Sequence, residues 1–473
     1  MIDENLVVTI TKKILNEINL KEAEEKKEKD NPDLGIFNDV NEAVECAKEA
    51  QKKFALMDLE KREEIIAAIR EACVNNARLL AEIACSETGR GRVEDKVAKN
   101  ILAAKKTPGT EDLKPTAWTG DRGLTLVEMA PVGVIASITP VTNPTATIIN
   151  NTISMLAAGN AVVFNPHPSA KKTSNKAVEI INEAILKVGA PNGLVCSINN
   201  PTIQTAQKLM EHPEVNMVVV TGGKAVVQTA LRCGKKVIGA GAGNPPVVVD
   251  ETADIVKAAH DIACGASFDN NLPCIAEKEI IAVERIADTL LERMKREGAY
   301  VLHGKDIDRM TELIFQGGAI NKDLIGRDAH FILSQIGIET GKDIRLVVMP
   351  VDVSHPLVYH EQLMPVIPFV TVPTVEEAIN LAVKAEGGNR HTAMMHSKNV
   401  ENMTAFARAI QTTIFVKNAP SYAGIGFGGE GYTTFTIAGP TGEGLTSART
   451  FTRQRRCVLV DAFRIVGHHH HHH

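Results

Sequence analysis

Ser267-Phe268-Asp269-Asn270-Asn271-Leu272-Pro273-Cys274-Ile275-Ala276-Glu277-Lys278-Glu279 is the stretch of this chain best suited to chemistry. Its single thiol follows a polar, proline-closed turn and precedes a segment that turns apolar at Ile280-Ile281-Ala282-Val283. A cysteine at such a junction suits attack on a carbonyl carbon, because the reactive form is a partly exposed thiolate with a lowered pKa. The commoner fate of a free cysteine is to be a small buried hydrophobe, so the rest of the chain must decide between the two. Thr221-Gly222-Gly223-Lys224 follows one strand pattern and opens a helical one, a place where glycine lets backbone N–H groups approach a pyrophosphate. Gly239-Ala240-Gly241-Ala242-Gly243-Asn244 has a similar spacing but is followed by Pro245-Pro246 and a strand, so it fails the context test for a dinucleotide fingerprint.

Positioning such groups requires alternating strands and helices, and the middle of the chain supplies them. Apolar runs at 132–138, 161–164, 217–220, 236–239 and 246–250 read as strands, with helices at 145–158 and 170–187 between them. This is the signature of parallel βαβ units in a sheet covered on both faces, whose ligands sit at the carboxyl ends of the strands. A second alternating stretch at 251–420 carries strands at 280–283, 345–349, 369–372 and 413–416. Residues 40–106 are helical throughout, and 124–129 reads as one arm of a hairpin. Near the N-terminus, Ile2, Leu6, Val7, Ile10, Ile14 and Ile18 form one apolar stripe, and an almost wholly charged run follows at 21–30. A short helix of this kind cannot bury its stripe alone and must dock on its own domain or on a partner.

Composition bounds the function. A chain of 473 residues exceeds one ordinary core, and 44% hydrophobic with 23% charged residues describes a soluble globular protein. A net charge of -5 with 4% aromatics offers neither the electrostatic footprint nor the stacking platforms of a nucleic-acid binder. No apolar run reaches the roughly 18 residues of a membrane helix, and no secretory signal is evident. The eight cysteines are scattered with no C-x-x-C pair, which points to reduced thiols in a cytoplasm and to no metal site. The terminal histidines at 468–473 are an expression tag.

Two motifs are specific enough to carry a family resemblance: Phe268-Asp269-Asn270-Asn271-Leu272-Pro273-Cys274 and Phe451-Thr452-Arg453-Gln454-Arg455-Arg456-Cys457. With Thr139-Pro140-Val141-Thr142-Asn143-Pro144 at the matching spacing, the chain from about 35 to 461 resembles the aldehyde dehydrogenase superfamily, and within it the coenzyme A-acylating branch found in bacterial microcompartments. The resemblance implies an α/β fold with a Rossmann-type cofactor domain (35–117 and 131–250), a catalytic thiol domain (251–432) and a β oligomerisation arm (118–130 and 433–461). Residues 1–20 would be a targeting-like helix that meets a microcompartment shell protein, with 21–34 as linker. A homodimer or homotetramer in the cytoplasm, inside the microcompartment lumen, is implied.

The same resemblance makes Cys274 the nucleophile that carries the acyl group as a thioester, with Asn143 as an oxyanion donor beside the backbone N–H of Cys274. Asn143-Pro144 could also be no more than a turn. Thr139, Pro140, Thr221, Gly222, Gly223 and Gly241 would line the site of NAD, and Glu361 would hold the nicotinamide ribose hydroxyls. Two departures matter. Hydrolytic members place a water-activating glutamate where this chain has Gly239 and Ala240. Loss of a general base slows water attack by about 10²- to 10⁴-fold, so the implied acyl acceptor is coenzyme A and the implied substrate a short aldehyde such as propionaldehyde or acetaldehyde. Asn165-Pro166-His167-Pro168 replaces the family lysine near the adenosine ribose, which leaves NAD as the expected but not the only dinucleotide. The arginines at 449, 453, 455 and 456 read as subunit-interface groups or as anion contacts.

Overall fold

The computed structural model describes residues 8–17 and 29–467. Ile2, Leu6, Val7 and Ile18 of the expected N-terminal stripe, residues 21–28 of the charged run, and the tag lie outside these. Residues 8–17 are helical, and Val8, Ile10, Ile14 and Leu15 on that helix are exposed.

Two parallel sheets organise the body. The first has six strands in the order Ile36–Phe37, Val195–Ile198, Ala161–Asn165, Val134–Ile138, Met217–Thr221, Lys236–Ala240. Every pairing in it is parallel. The inner strands are buried along almost their whole length, which explains why they read as unbroken β-branched runs rather than alternating ones. Chain order reverses at Val134–Ile138, which lies between Ala161–Asn165 and Met217–Thr221. A crevice opens beyond the carboxyl ends at such a switch point. The helix Pro144–Ala157 that follows Val134–Ile138 is buried at all 14 positions.

The second sheet has seven parallel strands, in the order Ala299–Val301, Leu346–Pro350, Val366–Val372, Glu279–Val283, Pro246–Val249, Thr392–His396, Ile414–Lys417. Pro246–Val249 was expected in the cofactor domain. It pairs instead with Glu279–Val283 and Thr392–His396, so the second sheet begins before residue 250. The edge strand at 413–416 was expected, whereas the other edge, Ala299–Val301, and Val195–Ile198 in the first sheet had no distinct sequence signal.

A three-stranded antiparallel sheet stands apart from both: Thr116–Gly120, Gly123–Pro131 and Thr452–Val460. Its outer strand is exposed at eight of nine positions. The expected arm segment 433–461 is too long at its start. Phe435 N–H donates to Asn150 Oδ1 (3.0 Å) and Thr436 Oγ1 to Asn151 Oδ1 (3.0 Å), so this part of the chain is pinned to the buried helix of the first domain. Only Thr452–Val460 joins the arm sheet.

Candidate active site

The nucleophile loop begins where helix Ile255–Ser267 ends. Asp269, Asn270 and Asn271 all adopt left-handed backbone, with φ of 46°, 52° and 70°. Asn and Asp tolerate this region better than other non-glycine residues, yet each still costs of order 1 kcal/mol or more. Each is held by its own side chain. Asp269 Oδ2 accepts from Lys96 Nζ (3.0 Å) and Lys99 Nζ (2.5 Å), and its Oδ1 from the Arg92 N–H (2.7 Å). Asn270 Nδ2 donates to Asp328 Oδ1 (2.8 Å) and the Gly326 carbonyl (3.0 Å). Asn271 Nδ2 donates to the carbonyls of Ala266 (2.7 Å) and Glu277 (2.9 Å). The result is a rigid reversal that delivers Cys274, partly accessible, to the edge of the crevice.

Beneath that loop lies Lys278, one of the largest fully buried side chains in the protein. Its ammonium donates to Asn271 O (2.8 Å), Asn271 Oδ1 (2.6 Å) and Pro273 O (3.4 Å), which spans the turn on both sides of Leu272. Burial pushes its pKa down to about 8, against the pull of Glu361 and the Cys274 thiol.

Asn143 occupies the N-cap position of Pro144–Ala157, where an asparagine side chain ordinarily turns back onto the helix. Here it makes no cap bond. Its Oδ1 accepts instead from Lys99 Nζ at 2.7 Å. That contact settles the orientation of the amide: with oxygen on the lysine, Nδ2 is the end available to a developing oxyanion, beyond its 3.2 Å contact with Thr142 Oγ1. Lys99 is itself fully buried. Burial lowers its pKa to about 8 while Asp269 pulls it back up. Burial would raise the Asp269 carboxyl, but Lys96 and Lys99 outweigh it and hold the group below its usual range. A single carboxylate thus ties the loop of Cys274 to the loop of Asn143 through a lysine on a third element, helix Val93–Lys106.

All the expected site residues line one crevice of about 610 Å³: Thr139, Pro140, Asn143, Thr221, Gly222, Gly223, Gly241, Cys274 and Glu361. Glu361 Oε2 accepts from the Gly243 N–H (2.8 Å), leaving Oε1 for a ligand hydroxyl. Burial raises its pKa, with Lys278 acting the other way. Gly243 has to be glycine, because a Cβ there would stand 2.8 Å from the His391 ring. Two observations fit a bound dinucleotide. Thr139 Oγ1 is buried with no partner among the described residues, and nothing stands within 4 Å of a Cβ built on Gly222 or Gly223. The helix after them, Lys224–Ala230, has only seven residues, so a pyrophosphate there would rely on close backbone approach more than on a helix dipole.

One expectation is corrected. The Cys274 thiol does not have a lowered pKa: burial and the Glu361 carboxylate push it up to about 12, and Lys278 offsets this only in part. The free protein therefore keeps the thiol protonated. A second expectation is sharpened. Gly239 is not in the crevice wall; its N–H is bonded to Thr441 Oγ1 (3.0 Å) and a Cβ would meet Val227 at 2.8 Å. Ala240, Gly241 and Ala242 form that wall. Among the described residues lining the crevice, Glu361 is the one carboxylate. No group of metal-binding side chains and no helix long and apolar enough to cross a membrane occurs among the described residues.

Sequence reasoning missed Lys96, Lys99 and Lys278 as parts of the site, and also Arg90, Phe435 and Ile437, which line the crevice. The two lysines of Val93–Lys106 lie 173 and 170 residues from Asp269, so no local pattern could pair them.

The aldehyde dehydrogenase family profile matches residues 33–448. The chain belongs to the aldehyde dehydrogenase family. Its fold is the α/β fold of that family, with both parallel sheets present. It is 52% identical over 441 residues to the acetylating acetaldehyde dehydrogenase EutE of Escherichia coli, a match covering 92% of this chain and 94% of that one. Identity to the CoA-propanoylating propanal dehydrogenase of Salmonella typhimurium is 50% over 432 residues, covering 91% and 93%. Among solved structures, a Rhodopseudomonas palustris propionaldehyde dehydrogenase with bound CoA and an acylated cysteine superposes with a TM-score of 0.90 at 51% identity, over 92% of this chain and all of that one. A propionaldehyde dehydrogenase from the Clostridium phytofermentans fucose utilisation microcompartment gives 0.90 at 52% identity, over 91% of this chain and all of that one.

Proposed function

We propose that this aldehyde dehydrogenase is CoA-acylating: a short aldehyde, a nicotinamide dinucleotide and CoA give acyl-CoA, reduced dinucleotide and a proton. The observation that carries the reading is a nucleophilic thiol in a crevice whose wall at 240–242 is Ala-Gly-Ala, with its single carboxylate, Glu361, bonded to the Gly243 N–H. A thioester on Cys274 therefore faces no base placed to activate water. A thiol needs none, since a few per cent of it is already thiolate near neutrality. The relatives named for acetylating and propanoylating activity support the same reading.

Each residue has a defined task. Cys274 Sγ, its proton lost to solvent, adds as the thiolate to the aldehyde carbon; the carbonyl pair moves to oxygen, and the oxyanion so formed is met by Asn143 Nδ2 and the Cys274 backbone N–H. Lys278 holds the loop and supplies positive charge near the sulfur. Glu361 receives the nicotinamide ribose hydroxyls of the dinucleotide, Thr139 Oγ1 offers it a buried unpartnered hydroxyl, and Gly222 and Gly223 leave space for its pyrophosphate. An oxidised nicotinamide dinucleotide held by Thr139, Gly222, Gly223 and Glu361 would supply the acceptor for the hydride that leaves the former aldehyde carbon as the adduct on Cys274 becomes a thioester. The acyl group then passes from Cys274 to the CoA sulfur, for which Ala240 and Ala242 leave room.

Omitting CoA from an assay of reduced dinucleotide formation with propionaldehyde should slow steady-state turnover by about 10²-fold or more, the cost of lacking a general base for water. Equal rates with and without CoA would overturn the acylating assignment in favour of hydrolysis.

The helix at 8–17 supports a second role, in assembly. Its exposed Val8, Ile10, Ile14 and Leu15 form an unpartnered apolar set suited to the groove of a shell protein in a microcompartment lumen. Deleting residues 1–20 should leave turnover within about twofold while abolishing co-purification with shell proteins, because the crevice begins far from that helix in the chain. Retained co-purification would refute the targeting role. The exposed strand Thr452–Val460, with Val458 and Val460 outward, is proposed as the contact between copies in a dimer or tetramer.

A further inference from the structure

Arg90 sits in Thr88-Gly89-Arg90-Gly91, between helices Ala77–Thr88 and Val93–Lys106. Its flanking glycines are both left-handed, with φ of 66° and 85°. The Arg90 N–H donates to Thr88 Oγ1 (3.2 Å) and the Gly91 N–H to the Gly326 carbonyl (2.8 Å). A Cβ at Gly326 would lie 2.6 Å from Arg90 Cβ, so the base of the side chain is packed in place. The residue lines the crevice together with Asn165, Pro166, His167 and Pro168, beyond the carboxyl end of Ala161–Asn165.

Its guanidinium makes no hydrogen bond or ion pair among the described residues. The acid nearest in sequence, Glu87, is committed elsewhere: it accepts from Lys172 N–H (2.9 Å), Thr173 N–H (2.8 Å) and Thr173 Oγ1 (2.6 Å) at the start of helix Lys171–Lys187. Glu361, the one carboxylate in the wall, is held at Gly243 on the side of the thiol. The neighbour His167 accepts the Ser169 N–H on Nδ1 (3.0 Å), so its neutral ring carries hydrogen on Nε2 and is a donor.

Ala161–Asn165 is the second strand of the βαβ unit that begins at Val134–Ile138. In dinucleotide folds this strand end meets the adenosine ribose; an acidic residue there reads a free 2′-hydroxyl, and an arginine there accommodates a phosphate. Among the described residues that end of the crevice has no acid and one arginine, packed at its base, whose guanidinium is unpaired. We propose that Arg90, with His167 Nε2–H beside it, binds a phosphomonoester on the adenosine ribose of the nucleotide in the crevice. The group has two sources in the reaction, the 2′-phosphate of a phosphorylated dinucleotide and the 3′-phosphate of CoA. The inference rests on the reading of the crevice as a nucleotide site.

The test is calorimetric and needs no turnover, so it stands apart from the acylation assay. Adenosine 5′-monophosphate, adenosine 2′,5′-bisphosphate and adenosine 3′,5′-bisphosphate are titrated into the full-length protein and into its Arg90→Met and Arg90→Lys variants. At least one bisphosphate should bind the parent protein about tenfold more tightly than the monophosphate, the scale of a charge-assisted contact. That ratio should fall towards one in Arg90→Met and be partly kept in Arg90→Lys. Preference for the 2′,5′ isomer assigns the site to the dinucleotide phosphate, and preference for the 3′,5′ isomer to CoA. A parent protein that binds all three nucleotides equally, or binds none, overturns the proposal, as does a preference undiminished in Arg90→Met.

Discussion

Cys274→Ala should lower kcat/KM for aldehyde oxidation by at least about 10⁴-fold, since removing the nucleophile of a covalent mechanism removes the path itself. Dinucleotide binding, followed by quenching of reduced-cofactor fluorescence, should persist, because Thr139, Gly222, Gly223 and Glu361 are untouched. A variant retaining more than about 1% of parent activity would show that another group carries the acyl transfer. The resting state of this thiol adds a pH signature. With its pKa pushed up to about 12 by burial and Glu361, the thiolate fraction is small at neutrality. Alkylation of the ligand-free protein by iodoacetamide at Cys274 should then rise about tenfold per pH unit between pH 7 and 9, with no plateau. Saturating oxidised dinucleotide should accelerate it at fixed pH by placing a positive ring beside the sulfur. A plateau below pH 8 in the ligand-free protein would show a thiol already ionised at rest.

Asn143→Ala should lower kcat by about 10²- to 10³-fold with a much smaller change in KM, the signature of one lost oxyanion donor. Asn143→Asp is the sharper probe. A carboxylate in that place keeps the contact with Lys99 Nζ, 2.7 Å from the present Oδ1, and so preserves the brace to Asp269. It presents a negative oxygen where the donor stood, so it should be at least as damaging as alanine. Alkylation of Cys274 by iodoacetamide, which forms no oxyanion, should stay within a few-fold of the parent in both variants. If Asn143→Asp kept a kcat near that of the parent, the amide would have no part in stabilising the intermediate.

Part of this site could be read directly. Asp269-Asn270-Asn271 is a run of residues that tolerate left-handed backbone, and the proline before Cys274 closes the turn, so a constrained loop presenting a thiol is written into local composition. The absence of a glutamate at 239 and 240 is likewise a statement about residue identity and survives folding unchanged. Strand positions in the first sheet were legible because burial on both faces demands continuous β-branched runs. The short strand Val195–Ile198, with only four residues, carried too little signal to stand out.

What depended on distant partners was not legible. Pro246–Val249 belongs to the second sheet because Glu279–Val283 and Thr392–His396 flank it, and a strand's own residues do not name its neighbours. The segment around Phe435 was expected in the arm, whereas hydrogen bonds from the Phe435 N–H to Asn150 and from the Thr436 hydroxyl to Asn151 hold it at the crevice wall. Lys99 looks like a solvated helix lysine until Asp269 is brought against it. The thiol's ionisation followed the same logic. Motif and turn singled out Cys274 as the candidate nucleophile, and residue identity alone excludes a glutamate at 239 and 240. Folding decided the rest, because a pKa is set by burial and by charges such as Glu361 and Lys278 that only the tertiary structure assembles around the sulfur.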